Sequence, residues 1–278
     1  MIRTGILSDK HSGSVPVQLL SLFKELKVTS ALFDMENSNS KNSSKIEEVM
    51  QSSDILYLDL PVLSAEQVKM AYRGSKHIFF RRMPPLTIDE TSELINLEDE
   101  AGCITQIFHP HLFLPGNLSL FRHLQIPLLV NIRLRSNPVL GLGNQLRSVF
   151  LILALLDKSS LKKLDVNTLE GENHSYVLDV RLSYSSGSIA RLILSTHFPE
   201  DQSVLELFQT SKPIVSLPVR SLDQTLQLLS EQAALKEFIK AITFQPALLI
   251  SLNEFLQAQL IMQKICEKLK LRGSSLLE

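Results

Sequence analysis

Apolar strands alternate with amphipathic helices in a regular order between residues 54 and 113. The strands are predicted at 54–61, 77–80 and 103–108. Apolar residues at helical spacing fill both intervals, and Thr87 and Glu90 form a capping box at the start of the second helix, which Gly102 ends. Parallel strands need crossover connections of this length, and these are right-handed. The segment therefore predicts a parallel, Rossmann-like sheet.

The N-terminal residues extend this pattern with two further strands, predicted at 2–7 and 28–33. A dinucleotide-binding loop would follow the first strand as Gly-x-Gly-x-x-Gly, since the glycines let the backbone turn and approach a pyrophosphate. The equivalent positions are Ser8, Lys10 and Gly13, so only the third glycine is kept. The loss of two glycines argues against ordinary dinucleotide binding.

Asp34 follows the second strand at the place where a ribose-binding acid usually lies. An acidic residue there is also typical of a solvated turn or a helix cap. With the glycines missing, the turn is the favoured interpretation. The polar run 37–44 is predicted to be a surface loop.

The motifs of the segment 54–113 resemble those of the Gfo/Idh/MocA oxidoreductases, the relatives of glucose-fructose oxidoreductase and inositol dehydrogenase. The family has strand-Thr-Pro, Gly-Lys-His, Glu-Lys-Pro, Ala-Gly and a His before a Phe. The matching residues here are Leu60-Pro61, Ser75-Lys76-His77, Arg81-Arg82-Met83, Ala101-Gly102, and His109 with Phe113. The frame of the family is kept, whereas its catalytic motif is changed.

This resemblance implies an α/β chain with a Rossmann-like parallel-sheet domain over 1–115. An α+β domain with a mainly antiparallel open sheet would follow over 116–278, with a last helix at 251–270. It implies NAD or NADP as the cofactor and a homo-oligomer through the C-terminal sheet. The residues at the cofactor-contacting positions are Ser8, Lys10, Gly13, Asp34, Pro61 and Arg81.

The C-terminal half agrees with such a domain. Strands are predicted at 128–135, 175–184, 188–198, 204–209 and 214–217, and helices at 146–156 and 221–239. The apolar run 146–156 is too short for a bilayer, which needs about 20 residues, so a buried helix is expected.

The positions that carry catalysis in the family are altered. Arg82 stands where the family has a lysine that assists proton movement, and arginine keeps its proton at neutral pH. The helix that usually supplies an Asp and a His aligns with 145–152, which contains neither. His109 is the remaining acid/base candidate, so Arg82 and His109 are the candidate catalytic residues.

Two alternatives stay open at both polar pairs. His109 and His111 could be an acid/base or a two-ligand metal site, but no third ligand follows, and local hydrogen bonding is favoured. No metal is predicted. Arg81 and Arg82 could form an anion site at the carboxyl edge of the sheet or a solvated pair.

Three function classes compete: an active NAD(P)-dependent oxidoreductase acting on a sugar or polyol derivative, a catalytically degraded binding or assembly module, and a purely structural oligomer. The degraded module is favoured, because packing residues follow the fold while site residues follow the function. Any ligand is expected to be small, and anionic or sugar-like.

Composition narrows the partners. A net charge of −1 does not indicate the basic surface that binds nucleic acid, and no stretch predicts a membrane partner. Cys103 and Cys266 lie in apolar patterns and do not suggest a disulfide framework. The N-terminus has no signal-peptide pattern, so a cytoplasmic location is the default expectation.

Overall fold

The computed structural model describes most of the 278-residue chain. The described residues are 1–8, 15–32, 40–59, 64–114, 116–136, 141–172, 175–209, 212–219, 222–271 and 274. Contacts divide them into two compact units. The first unit comprises residues 1–118 and 224–256, and the second comprises 119–223 and 257–278.

The first unit is built on a five-stranded parallel sheet. Its strands are β1 (Ile2–Ser8), β2 (Leu26–Leu32), β3 (Ile55–Asp59), β4 (His77–Phe80) and β5 (Thr105–Ile107). They lie in the order β2-β1-β3-β4-β5, and all four pairings are parallel. Every residue of β3 is buried, as expected for a central strand that is covered on both faces. The predicted Rossmann-like sheet is confirmed.

A helix follows each strand of this sheet. These helices are α1 (Val15–Leu20), α2 (Ser40–Ser52), α3 (Ala65–Arg73), α4 (Ile88–Ala101) and α5 (Asn117–Arg122). The capping box of Thr87 and Glu90 is present, and Gly102 ends α4 in the left-handed region with φ of 62°. These two features of the sequence prediction are confirmed.

Two local predictions are corrected. The polar run 37–44 is predicted to be a loop; 37–39 lie outside the described residues, but Ser40 begins α2, and Ile46, Val49 and Met50 form a buried stripe in its part 44–52. The sequence pattern predicts a left-handed C-cap at Gly74, but Gly74 caps α3 with φ of −85°, and the left-handed residue there is Ser75.

The second unit contains a six-stranded, mainly antiparallel sheet. Its strands are β6 (Leu129–Arg135), β7 (Leu161–Glu170), β8 (Tyr176–Tyr184), β9 (Ile189–Ser195), β10 (Val204–Gln209) and β11 (Lys212–Pro218). The order is β11-β10-β6-β9-β8-β7, and only the β6–β9 pair is parallel. The predicted sheet is confirmed, but β7 was missed.

Helix α6 (Leu142–Leu156) is apolar and buried from Val149 to Leu155 in the second unit, in agreement with the buried helix predicted at 146–156. Two long helices follow the second sheet, α7 (Gln224–Ile242) and α8 (Leu252–Leu271). Among the described residues, no helix combines the length and the apolar character needed to cross a membrane.

Residues 224–256 lie in the first unit, whereas the sequence prediction placed everything after 115 in the second domain. Phe238 on α7 packs on Phe79 of β4, with ring centroids 5.7 Å apart. Farther along, the Ile107 amide of β5 donates to the Ile250 carbonyl at 2.8 Å. These contacts tie the returning chain to the parallel sheet.

Candidate functional site

The carboxyl edge of the parallel sheet brings together the ends of β3 and β4. Asp59 is the last residue of β3, and Arg81 and Arg82 follow β4 directly. Parallel strands end at the same edge of a sheet, and ligands of this fold class gather there. The edge is therefore the first place to look for chemistry.

Asp59 holds both arginines. Its side chain is fully buried, Arg81 Nη1 donates to Oδ2 at 2.8 Å, and Arg82 Nε lies 2.7 Å from Oδ1. The side chain of Arg81 is 20% exposed and that of Arg82 is 41% exposed. Arg81 is therefore largely withdrawn from water, whereas Arg82 is exposed and is paired with a carboxylate that water does not reach.

Helix α7 supplies a second buried carboxylate to this edge. Arg81 Nε lies 3.2 Å from both oxygens of Glu231, whose side chain is 1% exposed. The Tyr57 hydroxyl donates a short hydrogen bond to Glu231. Arg81 thus links β3 to α7 through two carboxylates, and Glu231 is held from both sides.

The electrostatics of this network have definite directions. Burial raises the pKa of Glu231, although the charge of Arg81 opposes the rise. Burial acts to lower the pKa of Arg81, but the charges of Glu231, Tyr57 and Asp59 outweigh it, so the pKa is raised. The pKa of Tyr57 is raised first by burial and then by the charge of Glu231. Arg81 therefore stays cationic and Tyr57 stays a neutral donor.

The loop after β5 carries the two histidines. His109 is buried, and its ring centroid lies 5.9 Å from that of His111. Burial lowers the pKa of His111, so its ring is neutral at pH 7. Ser230 of α7 donates to the Pro110 carbonyl, and Asn117 Nδ2 donates to the His111 carbonyl at 2.7 Å. Among the described residues, no group of three or more His, Cys, Asp or Glu could hold a metal.

Comparison with known proteins gives agreement of structure without agreement of sequence. No family model and no curated protein sequence matches the chain. A UDP-N-acetylglucosamine 3-dehydrogenase from Acidithiobacillus ferrooxidans is 13% identical with a TM-score of 0.70, covering 96% of this chain and 97% of that one. A dehydrogenase from Clostridium difficile is 14% identical with a TM-score of 0.68, covering 96% and 99%. The chain has the Gfo/Idh/MocA fold.

A third solved structure with this fold is a biliverdin reductase from Synechocystis sp. PCC 6803 in complex with biliverdin and NADP+. It is 12% identical with a TM-score of 0.62, covering 96% of this chain and 98% of that one. The resemblance inferred from the motifs is confirmed at the level of the fold. At these identities, the likeness assigns neither a cofactor nor a substrate.

The structure describes two of the six residues that the resemblance assigns to cofactor contacts. Ser8 ends β1, is buried, and is in register with Asp59. Arg81 belongs to the ion-pair network. Four of the candidate positions lie outside the described residues: Lys10, Gly13, Asp34 and Pro61.

Sequence reasoning missed the two carboxylates that organise this edge. Asp59 could have been noticed, because a charged residue at the end of an otherwise apolar strand is costly unless it is paired. Glu231 occupies a buried position on the same face as Ala234, Leu235 and Phe238. A Glu on the apolar stripe of a helix is a signal of a buried partner, but the pattern does not name that partner.

Proposed function

We propose that this chain is a catalytically silent protein of the Gfo/Idh/MocA fold that binds a small anion at the carboxyl edge of its parallel sheet. The observation that carries the proposal is the 2.7 Å pair between Arg82 Nε and Asp59 Oδ1. Active relatives place the lysine of Glu-Lys-Pro at this position. A guanidinium does not exchange its proton at neutral pH, so Arg82 cannot take the role of that lysine in proton transfer.

The other acids and bases at this edge are poorly placed to replace that lysine. Asp59, Glu231 and His109 are each at most 1% exposed. A general base must come within hydrogen-bond reach of the proton that it removes. Each of these groups would first have to leave its burial site, so the described residues favour binding over catalysis.

The exposure of Arg82 favours an anion. Two guanidinium groups face two carboxylates, so the formal charge of the network is balanced, but both carboxylates are buried while the Arg82 side chain is 41% exposed. Arg82 is the most exposed member, so it is the group that a ligand reaches first. Because Asp59 fixes the Arg82 side chain, less conformational entropy is lost when a carboxylate or phosphate binds.

The alternative is an active NAD(P)-dependent oxidoreductase. It is favoured by the fold, and by the NADP+ in the similar biliverdin reductase structure. The loop that would meet a pyrophosphate lies within 9–14, outside the described residues. Cofactor binding therefore separates the two functions directly.

The test is the thermal unfolding midpoint with millimolar NAD, NADH, NADP, NADPH, pyrophosphate or citrate. A ligand at a hundredfold excess over its dissociation constant stabilises by about 2.7 kcal/mol and raises the midpoint by a few degrees. We expect the simple anions to raise the midpoint of the parent and not of Arg82→Ala. Arg73→Ala, which removes an exposed arginine of the same unit, should respond like the parent.

A rise with a nicotinamide cofactor, followed by hydride transfer to a sugar or polyol that a change at His109 abolishes, would establish the enzyme instead. Equal anion shifts in the parent and in Arg82→Ala would remove the proposed site. If none of these compounds changes the unfolding midpoint, both proposed functions fail and a purely structural oligomer is the function class that remains.

Assembly through the second sheet is part of the same proposal. Leu129 pairs with Phe208 on one side and with Ile189 on the other, on the face opposite the buried side chains of β6. Leu129 and Ile189 are each about half exposed. This apolar row fits a subunit contact, and Leu129→Lys should shift the molar mass measured by light scattering toward the monomer.

A further inference from the structure

The outer side of β7 forms one wall of a groove in the second unit. Strand β7 ends the six-stranded sheet, and no described strand pairs with its outer side. The groove has a volume of about 560 Å³ and lies between the first half of β7 and the last turns of α8. Every second residue of an edge strand directs its N–H and C=O groups outward, where another strand could pair with them.

The walls of this groove carry four exposed lysines. Lys162 and Lys163 come from β7, and Lys264 and Lys268 lie one turn apart on α8. Asp165 and Glu267 also line the groove, so its formal charge is +2. The walls therefore favour an acidic occupant.

Lysines on an edge strand have an ordinary explanation, since they prevent strands of other molecules from pairing there. That explanation covers Lys162 and Lys163 but not the two lysines of α8. Lys264 and Lys268 are on a different element and nevertheless line the same groove. Their position is what a site for an acidic segment requires.

The positive field is also felt by the carboxylate in the groove. The pKa of Asp165 is lowered by its hydrogen bond with Lys163, and also by the charges of Lys163, Lys268 and Arg181. Lys163, on the same strand, forms an ion pair with Asp165 at 2.9 Å. The positive charge of Lys268 on α8 therefore acts across the groove on the carboxylate of Asp165 on β7.

The edge itself suits an extended ligand. Strand β7 has ten residues, and its pairing with β8 runs without a shift from Lys163 to Glu170. The register shift between Leu161 and Lys163 leaves Lys162 outside the regular ladder. Leu161 and the exposed Leu271 add apolar surface at the rim of the groove.

We propose that this groove binds an acidic, extended peptide segment of a partner protein, which adds to β7 as a seventh strand while its carboxylates meet the lysines of α8. Addition of a strand to an open sheet edge is a common mode of peptide recognition. This interaction belongs to the second unit and does not depend on the anion site of the first.

The test is fluorescence anisotropy of the full chain with a labelled hexapeptide of alternating Glu and Val. We expect saturable binding that weakens with salt and is lost when a central Val of the peptide is replaced by Pro, which cannot donate to the ladder. The double variant Lys264→Glu/Lys268→Glu should bind the peptide at least about tenfold more weakly, and should gain binding to the matching Lys-Val peptide.

A double variant with the same net charge, Lys24→Glu/Lys236→Glu, is the control, because both lysines are exposed residues of the first unit. Equal loss of binding in the two double variants would overturn the proposal, as would equal binding of the Pro-containing peptide. Absence of binding, or self-association that disappears in Lys264→Glu/Lys268→Glu, would also overturn it; the latter would identify a second copy as the occupant.

Discussion

Arg82 and Asp59 form an ion pair of 2.7 Å between Nε and Oδ1, at the carboxyl edge of the parallel sheet. Asp59 also binds Arg81, and Arg81 binds Glu231. The residues proposed to meet an anion therefore also connect β3 and β4 to the returning helix α7. In that proposal, anion binding and stability are coupled at this edge.

Asp59→Asn tests that coupling. The change keeps the shape of the side chain but leaves two guanidinium groups without their shared buried charge. Loss of one partner of a buried pair costs about 3–5 kcal/mol, and the 41% exposure of Arg82 favours the lower end. Urea denaturation at pH 7 measures the change.

The control for this prediction is Asp165→Asn, since that carboxylate is 45% exposed in its pair with Lys163. It should leave the free energy of unfolding nearly unchanged, because exposed ion pairs contribute little to stability. Similar losses in Asp59→Asn and Asp165→Asn would contradict the structural role of the Asp59 network.

The buried carboxyl of Glu98 is expected to make the stability of the protein depend on pH. This residue of α4 is 7% exposed, and burial raises its pKa from 4.5 to about 7, against hydrogen bonds from Thr105. A carboxyl whose pKa is higher in the folded state stabilises the fold when it is protonated. That contribution is complete below pH 4.5 and is lost as the pH rises through about 7.

Glu98→Gln should therefore be more stable than the parent, by about 3 kcal/mol at pH 8 and by about 1 kcal/mol at pH 5. Urea midpoints between pH 5 and pH 9 measure the difference. Glu100→Gln, at an exposed position of the same helix, should follow the parent at every pH. A constant difference between Glu98→Gln and the parent would show that Glu98 is not the titrating group.

The sequence predicted those parts of the fold that depend on local patterns. Alternating apolar residues identified β8 and β9, and the reciprocal capping of Thr87 and Glu90 identified the start of α4. Helix α2 was not predicted because its first residues are polar. Its helical structure depends on the packing of a short apolar stripe against the rest of the unit.

The site was predictable only in part, since its organising contacts are distant in sequence. Arg81 and Arg82 were identified from their motif, but Glu231 lies 150 residues from Arg81. Local periodicity shows that a position is buried, and it does not show which side chain will be opposite. The pairing depends on the return of α7 to the first sheet.

Replacement of Phe244 by Gly is expected to increase the stability of the protein. Phe244 follows α7 with φ of 57°, and its side chain is 97% exposed. The Gln245 amide donates to the Lys240 carbonyl at 2.8 Å and the Phe244 amide to the Ala241 carbonyl at 3.0 Å, the pattern of a helix end that usually has Gly at this position. A left-handed backbone costs a residue with a Cβ about 1–2 kcal/mol.

Phe244→Gly should therefore raise the free energy of unfolding by about 1 kcal/mol, after allowance for the flexibility of Gly in the unfolded chain. Urea denaturation measures the gain, and Phe244→Ala, which keeps the Cβ, should give little of it. Equal gains from both changes would mean that removal of the ring matters and the backbone strain does not.

An added methyl group at Gly5 is expected to lower the stability of the protein. A Cβ at this position of β1 would lie 2.7 Å from Val49 Cγ1 and 2.8 Å from Ser53 Oγ, and both of these residues are buried. Overpacking of this kind costs about 1–3 kcal/mol. Gly143→Ala is the matched control: of the described residues outside its own helix, its Cβ would meet Met262 Cε at 3.9 Å and nothing closer, and in a helix such as α6 Ala is favoured over Gly by up to about 1 kcal/mol. Thermal unfolding should therefore move in opposite directions for the two changes, and a loss of stability in Gly143→Ala equal to that in Gly5→Ala would contradict the packing argument for β1.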